Sequence, residues 1–414
     1  MCEKGGVRIG LGLLGLTVVL ACPGETMEKD LGDVNVSRHL GVVGRVNLGS
    51  YYTPAKYVRL VGEWLLKHGI GPEWTIADLS CGYGAFFELS CVEGLRACRY
   101  IGNDIDSVAV AKARTFFPHV EWSELNALVH VSRQRFGMRE GERVVVVGNP
   151  PYNDVTSQIN QGIKTSDLSI DPDLKTRDLG MSSLLAYDKI RADYVAVLHP
   201  LSYLVKKQNF SATRAFFSNY RIVEHLVFSS QEFAGTSKTA GFPVIVALYR
   251  RAEGCGLSYA DVCRMWFQTV EGERFSLSGF DYVTDEIEKY PGRNRYSPEI
   301  LFYTLRDINA LRRSRTFLSR RNANAVDVEP SKLAYYCYID CFKRFADVPY
   351  HLGNFNIPFR RLEFPAISND VVGISKFMHP DVFGDVGKPP DAAYERVRDY
   401  IAQSLKGKDC SDAD

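Results

Sequence analysis

The chain has almost no net charge: 50 lysines and arginines against 49 aspartates and glutamates give +1. A balance this even excludes a global field that pulls the whole protein onto nucleic acid or membrane, so any polyanion site must be a local patch. Ten cysteines are scattered along the chain, with no Cys-x-x-Cys spacing and no clustering with the eight histidines. That argues against a zinc site or a disulfide framework, gives no metal site to name, and suits a reducing compartment. Cys337 and Cys341 share a helical spacing and read as a buried pair of small hydrophobes. No repeat or low-complexity tract is present. The length, 414 residues, allows two domains and a large core.

Long apolar runs are also scarce. One, Ile9 to Ala21, follows Lys4 and Arg8 and ends in Leu20-Ala21-Cys22. It has the form of an export signal with a lipoprotein-like cleavage site and is too short to span a bilayer. The rest of the chain reads as cytoplasmic, so the expectation is a start placed too early, with translation beginning at or near Met27. Residues 1–46 are then a lead-in.

From residue 53 the pattern becomes regular. Thr53-Pro54 reads as N-cap and first helical position, and Tyr57, Val61, Trp64 and Leu65 recur at helical spacing. Seven apolar runs follow as candidate strands: 76–79, 100–103, 120–123, 144–147, 194–198, 222–228 and 243–249. Amphipathic stretches separate most of the early ones. This predicts an α/β fold with a doubly wound seven-stranded sheet, whose ligands sit outside the carboxyl ends of the strands. Residues 153–182 are polar and Gly-containing and read as a loop, a lid that orders on substrate. The alternation stops near Arg250, and 255–414 is expected to form a second domain.

The chemistry-bearing residues fall at the strand ends. After the first strand, Asp78-Leu79-Ser80-Cys81-Gly82-Tyr83-Gly84 reads as a tight loop whose glycines let backbone approach a ligand; an ordinary Gly-rich turn is the plainer alternative. The third Gly of a dinucleotide fingerprint is missing, which disfavours a nicotinamide cofactor. The second strand ends in Asn103-Asp104-Ile105-Asp106. Asp104 can accept both hydroxyls of a ribose, while Asp106 or Ser107 is the natural helix cap. Asn126-Ala127, after the third strand, could meet an adenine amine. After the fourth strand comes Asn149-Pro150-Pro151-Tyr152. The Asn149 side-chain oxygen and the Pro150 carbonyl can accept both hydrogens of one NH2 group. Pro151 stiffens the turn, and Tyr152 offers a flat face for a planar substrate.

In this order the motifs resemble those of the amino-group DNA methyltransferases that use S-adenosylmethionine, over roughly residues 47 to 250. Tyr52-Thr53-Pro54 is similar to the family's cofactor-edge motif, Asp78 to Gly84 to its Asp-x-x-Cys-Gly-x-Gly loop, and Asn149 to Tyr152 to its catalytic tetrapeptide. The catalytic turn lies about 65 residues after the Gly loop, too close for an intervening target-reading domain, so that domain must follow. This order resembles the gamma-type N6-adenine enzymes. The resemblance implies Tyr52, Thr53, Pro54, Asp78, Ser80, Cys81, Gly82, Gly84, Asp104, Ile105, Asn126 and Ala127 around the cofactor. It implies Asn149 to Tyr152 with Phe233, as a base-stacking ring or a core residue, around the target. Asn126 departs from the Asp of many relatives.

The resemblance further implies double-stranded DNA as partner and a monomer, and leaves open a cognate restriction endonuclease. Target reading falls to 255–414, where Arg306, Arg312, Arg313, Arg315, Arg320 and Arg321 form the densest basic stretch, suited to phosphates or guanine; a solvated helix face is the alternative. Related rivals are methyltransferases of a protein glutamine amide, of an RNA base amine or of cytosine N4. A non-catalytic nucleic-acid-binding protein of the same fold, or an exported lipoprotein, would be a different class of answer.

Overall fold

The computed structural model describes residues 53–152, 169–233, 241–311 and 315–407. The export-like segment, Tyr52 and most of the expected lid therefore lie outside the described residues. Helix α1 (Ala55–Lys67) begins one residue later than the sequence suggests. Pro54 is its cap, with extended backbone and no side-chain cap bond, and Thr53 is buried just outside. Tyr57, Val61 and Leu65 of α1 are buried as their spacing predicts.

All seven expected strands form one sheet: β1 (Trp74–Asp78), β2 (Arg99–Asn103), β3 (Glu121–Ser123), β4 (Arg143–Gly148), β5 (Tyr194–Pro200), β6 (Tyr220–Ser229) and β7 (Pro243–Arg251). Their spatial order is β3-β2-β1-β4-β5-β7-β6. The first five pair in parallel, and β7 runs antiparallel between β5 and β6. Val144 to Val147 are all buried because both faces of the sheet are covered. Val145 and Val147 join α1 in one core. Val144 and Val146 join the opposite core with helix α3 (Leu179–Ile190).

Helix α2 (Ser107–Phe116) follows β2, capped by Asp106, whose carboxylate accepts from the amides of Val108 and Ala109. Helix α3 corrects the expected loop 153–182. Asp178 caps it, and Gly180 to Ser183 are buried inside it. Small and polar residues that read as loop from composition here form a buried helix face.

After β7 the chain builds a three-stranded sheet around Leu301–Tyr303 and three helices, α4 (Leu333–Phe345), α5 (Phe364–Met378) and α6 (Asp391–Ser404). Their buried faces belong to the same continuous cluster as α3. The outer edge of β6 is partly paired, with the Val270 amide donating to the Val227 carbonyl at 2.9 Å. Cys337 and Cys341 are buried free thiols on α4, as expected of small core hydrophobes. No helix among the described residues is long and apolar enough to cross a membrane.

One core group gives the fold a pH dependence. His199, near the end of β5, is fully buried. Its Nε2 lies 2.7 Å from the Tyr249 hydroxyl and its Nδ1 2.9 Å from the Pro200 carbonyl. Burial lowers its pKa from 6.5 to about 4. The unfolded chain therefore binds more protons between those values, and stability must rise with pH across that window. His199 accounts for about 3 kcal/mol at most, lost as pH falls from about 6.5 to about 4. Denaturant midpoints at pH 7 and pH 5 test this: His199→Gln should show a smaller difference than wild type, and an equal difference would contradict the assignment.

Candidate active site

The chain leaves β1 for β2 and β3 on one side and returns to β4 on the other, so the sheet reverses direction between β1 and β4. Loops leaving such a switch point diverge and open a crevice. Both main motifs leave the sheet there, one from each strand.

From β1, Asp78 ends the strand fully buried, and its Oδ1 accepts the Ser80 amide at 3.1 Å. The loop then bends sharply. The Cys81 amide donates to the Asn103 carbonyl and the Gly84 amide to the Cys81 carbonyl, with φ at +50° for Gly82 and +87° for Gly84. A Cβ on Gly84 would sit 3.0 Å from the Phe87 ring and 3.3 Å from Phe117. Gly84→Ala is therefore expected to cost about 1–3 kcal/mol and to weaken ligand binding at this loop. Thermal melting with and without ligand checks both effects; a variant as stable as wild type would contradict them. The turn after the loop, Ala85–Cys91, is a 3-10 helix that buries Phe86 and Leu89.

From β2, Asp104 is partly exposed at the crevice and braces the Gly loop. Its Oδ2 accepts the Gly82 amide at 2.7 Å and its Oδ1 the Asp106 amide at 2.9 Å. Burial is the main cause that raises the pKa of both Asp78 and Asp104; the Asp104 charge raises Asp78 further, and both carboxylates act on Cys81. Cys81 is buried, and burial raises its thiol pKa too. Ile105 stands 48% exposed at the rim.

Asn103, which the sequence reading passed over, ties three strand ends together. Its amide donates to the Leu79 and Leu125 carbonyls and accepts from Ser123 Oγ and the Leu125 amide, at 2.8–3.0 Å. The available signal was an Asn closing a strand, where an amide can satisfy loop backbone on both sides. Asn126 forms a local turn: Oδ1 accepts the Leu128 amide at 2.9 Å and Nδ2 donates to the Ser169 carbonyl at 2.8 Å. Ala127 packs partly buried beside it.

From β4, Gly148 leads into Asn149 and a buried Pro150. The Tyr152 hydroxyl donates to Asn149 Oδ1, so in this state one proposed acceptor of an amine already accepts a hydrogen bond from its own turn. Tyr152 lies against Phe233, ring centroids 6.4 Å apart and tilted by 54°. Phe233 is only 2% exposed and meets Phe228 edge-on. It is a core ring here, touching the Asn149–Tyr152 turn through Tyr152. The short turn before it is held to the start of α1, where Glu232 accepts from the Tyr57 hydroxyl at 2.6 Å and pairs with Lys56. The Thr53-Pro54 edge thus adjoins the Phe233 side of the crevice.

The two motif loops meet under Gly148. Asp78 and Val147 are neighbours in register, and a Cβ on Gly148 would lie 3.4 Å from Asp78 Oδ1 and 3.3 Å from the Tyr187 hydroxyl. Tyr187, on α3, is the other group the sequence reading missed, because it lies beyond the stretch read as loop, on a helix that reading did not predict.

The arginine stretch is less uniform than its sequence suggests. Arg312 and Arg313 lie outside the described residues. Arg306, Arg315 and Arg320 are exposed. Arg321 is committed elsewhere: its guanidinium grips Asp327 with two nitrogens, at 2.6 and 2.8 Å, and also pairs with Glu299. Among the described residues, no group of three or more His, Cys, Asp or Glu could hold a metal ion.

No family model matches the sequence, and no curated protein matches it. Among solved structures the chain is similar to the modification subunit of a type I restriction enzyme from Vibrio vulnificus, at 18% identity over 60% of this chain and 50% of that one, TM-score 0.40. It is also similar to the methyltransferase subunit of a type I restriction-modification system from Streptococcus thermophilus (15%, 61% and 56%, 0.38). A third likeness is to a chain described as an RNA methyltransferase from Pyrococcus horikoshii (17%, 55% and 99%, 0.36). The chain spans about half the length of the two restriction-system subunits. Likenesses this distant leave the chemistry to be read from the chain's own geometry.

Proposed function

We propose that the protein is an S-adenosylmethionine-dependent methyltransferase acting on the N6 amine of adenine in double-stranded DNA. The observation that carries this reading is the meeting of the Asp78–Gly84 loop and the Asn149–Tyr152 turn at the β1/β4 switch point. One wall, with the buried Asp78, the half-buried Asp104 and a glycine bend, fits a cationic nucleoside. The other carries an amide and a proline carbonyl suited to an NH2 group. Target reading then belongs to 255–414, with Arg306, Arg315 and Arg320 as its outward-facing cations.

Asp78, Asp104 and the Gly82–Gly84 bend would hold the cofactor, with Ile105 flanking its ring. When bound, that group supplies a methyl on a sulfonium, an activated leaving group. The chain's residues prepare the acceptor. Adenine's N6 lone pair is delocalised into the ring and is a poor nucleophile. Hydrogen bonds from the amine to Asn149 Oδ1 and the Pro150 carbonyl draw the nitrogen out of conjugation and aim its lone pair along one line. The Tyr152 hydroxyl, now on Asn149 Oδ1, must yield or share that oxygen, which has two lone pairs. Reaching the amine requires flipping the base, at a cost of a few kcal/mol, partly offset by stacking on Tyr152. Orientation of the bound partners can supply roughly 7–11 kcal/mol of the barrier.

Incubation with labelled S-adenosylmethionine and either duplex DNA, RNA or protein tests the reading. Label in DNA supports it, whereas label in RNA or protein alone points to an amide- or RNA-directed relative. No label and no cofactor binding would leave only a nucleic-acid-binding role.

A further inference from the structure

Beneath Gly148 three polar groups converge that the sequence motifs do not account for together. The Tyr187 hydroxyl is fully buried, and neither it nor Ser80 Oγ has a hydrogen-bond partner of good geometry among the described residues, although Ser80 lies close enough to Tyr187 to counter part of the rise in its pKa. The two hydroxyls are near neighbours, and Asp78 lies close enough to raise the Tyr187 pKa after burial itself does. Tyr187 Oη and Asp78 Oδ1 lie 3.3 and 3.4 Å from the one point where a Gly148 Cβ would stand. A Cβ at position 148 would crowd both oxygens, so the glycine is what lets the Tyr187 hydroxyl and the Asp78 carboxylate come this close to the β4 backbone.

A buried hydroxyl without a partner destabilises the folded state, so a fold that keeps two beside a buried carboxylate invites a functional reason. The three groups present three oxygen acceptors in one place. An alkylammonium is the complementary ligand, with three donors and a positive charge.

We propose that Tyr187 is a further cofactor-recognition residue, which together with Ser80 Oγ and Asp78 receives the ammonium of the cofactor's amino-acid tail. This inference rests on the methyltransferase reading and names how that site selects its ligand. α3 thereby contributes to a site that the motifs place only on the segment before α1 and on the ends of β1 to β4. Tyr187 acts on binding of the tail, and the methyl-transfer geometry at Asn149 is left to the Pro-braced turn.

The test compares wild type, Tyr187→Phe and Ser80→Ala, titrated with S-adenosylmethionine and with 5′-methylthioadenosine, which has the nucleoside and thioether but no amino-acid tail. Tyr187→Phe keeps the ring and removes only the unpartnered hydroxyl. It should raise the melting temperature of the free protein by a few degrees. It should also weaken S-adenosylmethionine binding roughly tenfold or more, the range for a hydrogen bond to a charged group, and leave methylthioadenosine within twofold. Ser80→Ala keeps the amide that Asp78 accepts and should show the same tail-specific loss. Tyr187→Phe binding S-adenosylmethionine as wild type does, or losing both ligands equally, overturns the role of Tyr187. Wild-type protein that binds neither ligand overturns the methyltransferase reading beneath it.

Discussion

Asn149→Ala should bind S-adenosylmethionine as wild type does and transfer methyl groups at least about a hundred- to a thousandfold more slowly, the scale on which a single preorganised polar group acts in an active site. The split follows from position. Asn149 leaves β4 on the opposite wall of the crevice from the loop that Asp104 braces through the Gly82 amide, so its loss does not disturb that loop. It does remove one of two acceptors for the amine and frees the Tyr152 hydroxyl that now rests on it. Asn149→Asp keeps an acceptor oxygen and should retain more activity than alanine. Equilibrium binding and single-turnover transfer, measured on the same preparations, separate the two effects. Near-normal turnover in the alanine variant would defeat the assignment of this turn to catalysis.

The largest expected effect on stability lies in the C-terminal half. Asp340 of α4 has no exposed surface and holds four neighbours. It accepts from Thr316 Oγ1 at 2.5 Å and Ser375 Oγ at 2.9 Å, pairs with His379 Nε2 at 3.0 Å, and lies 3.4 Å from Arg344. Burial alone would raise its pKa, but the bonds from His379 and Thr316 and the charges of His379 and Arg344 bring it below the usual value. Replacing one partner of such a network strands the others, so Asp340→Ala should cost about 3–5 kcal/mol. Because the buried cluster runs unbroken from the sheet into α4, α5 and α6, the loss should appear in one cooperative unfolding transition. Chemical denaturation measures it. A change under about 1 kcal/mol would mean the carboxylate is replaceable, as buried ion pairs sometimes are.

The N-terminal half was legible because its signals are local. β1 and β4 are short runs buried on both faces, and each motif sits at a strand's carboxyl end, so these strands and the loops that leave them could be placed from sequence. Asp106 as the cap of α2 was legible for the same reason, since an Asp before a helical run has few other uses. What failed depended on contacts distant in sequence. Pro54 rather than Thr53 caps α1. Gly180, Ser182 and Ser183 look like loop because their small side chains face a core built by residues far along the chain. In the C-terminal half, α4 carries its buried Asp340 in mid-helix, which breaks the apolar period, and Thr316, Ser375, His379 and Arg344 make that burial tolerable. Phe233 could not be resolved between a core ring and a stacking ring from sequence, and the fold puts it with Phe228 and Tyr152. Arg321 shows the limit of reading charge runs: Asp327 and Glu299, not its arginine neighbours, decide where its guanidinium points.

The central claim is that a proline-braced corner at the β1/β4 switch point takes a base's NH2 by two oxygens and presents it to a methyl donor. Nucleoside mass spectrometry of DNA from cells expressing this chain, set beside the Asn149→Ala variant, tests it most directly. The account predicts N6-methyladenine with the wild type and none above background with the variant. Methylation confined to another base, or equal N6-methyladenine from both proteins, would contradict it.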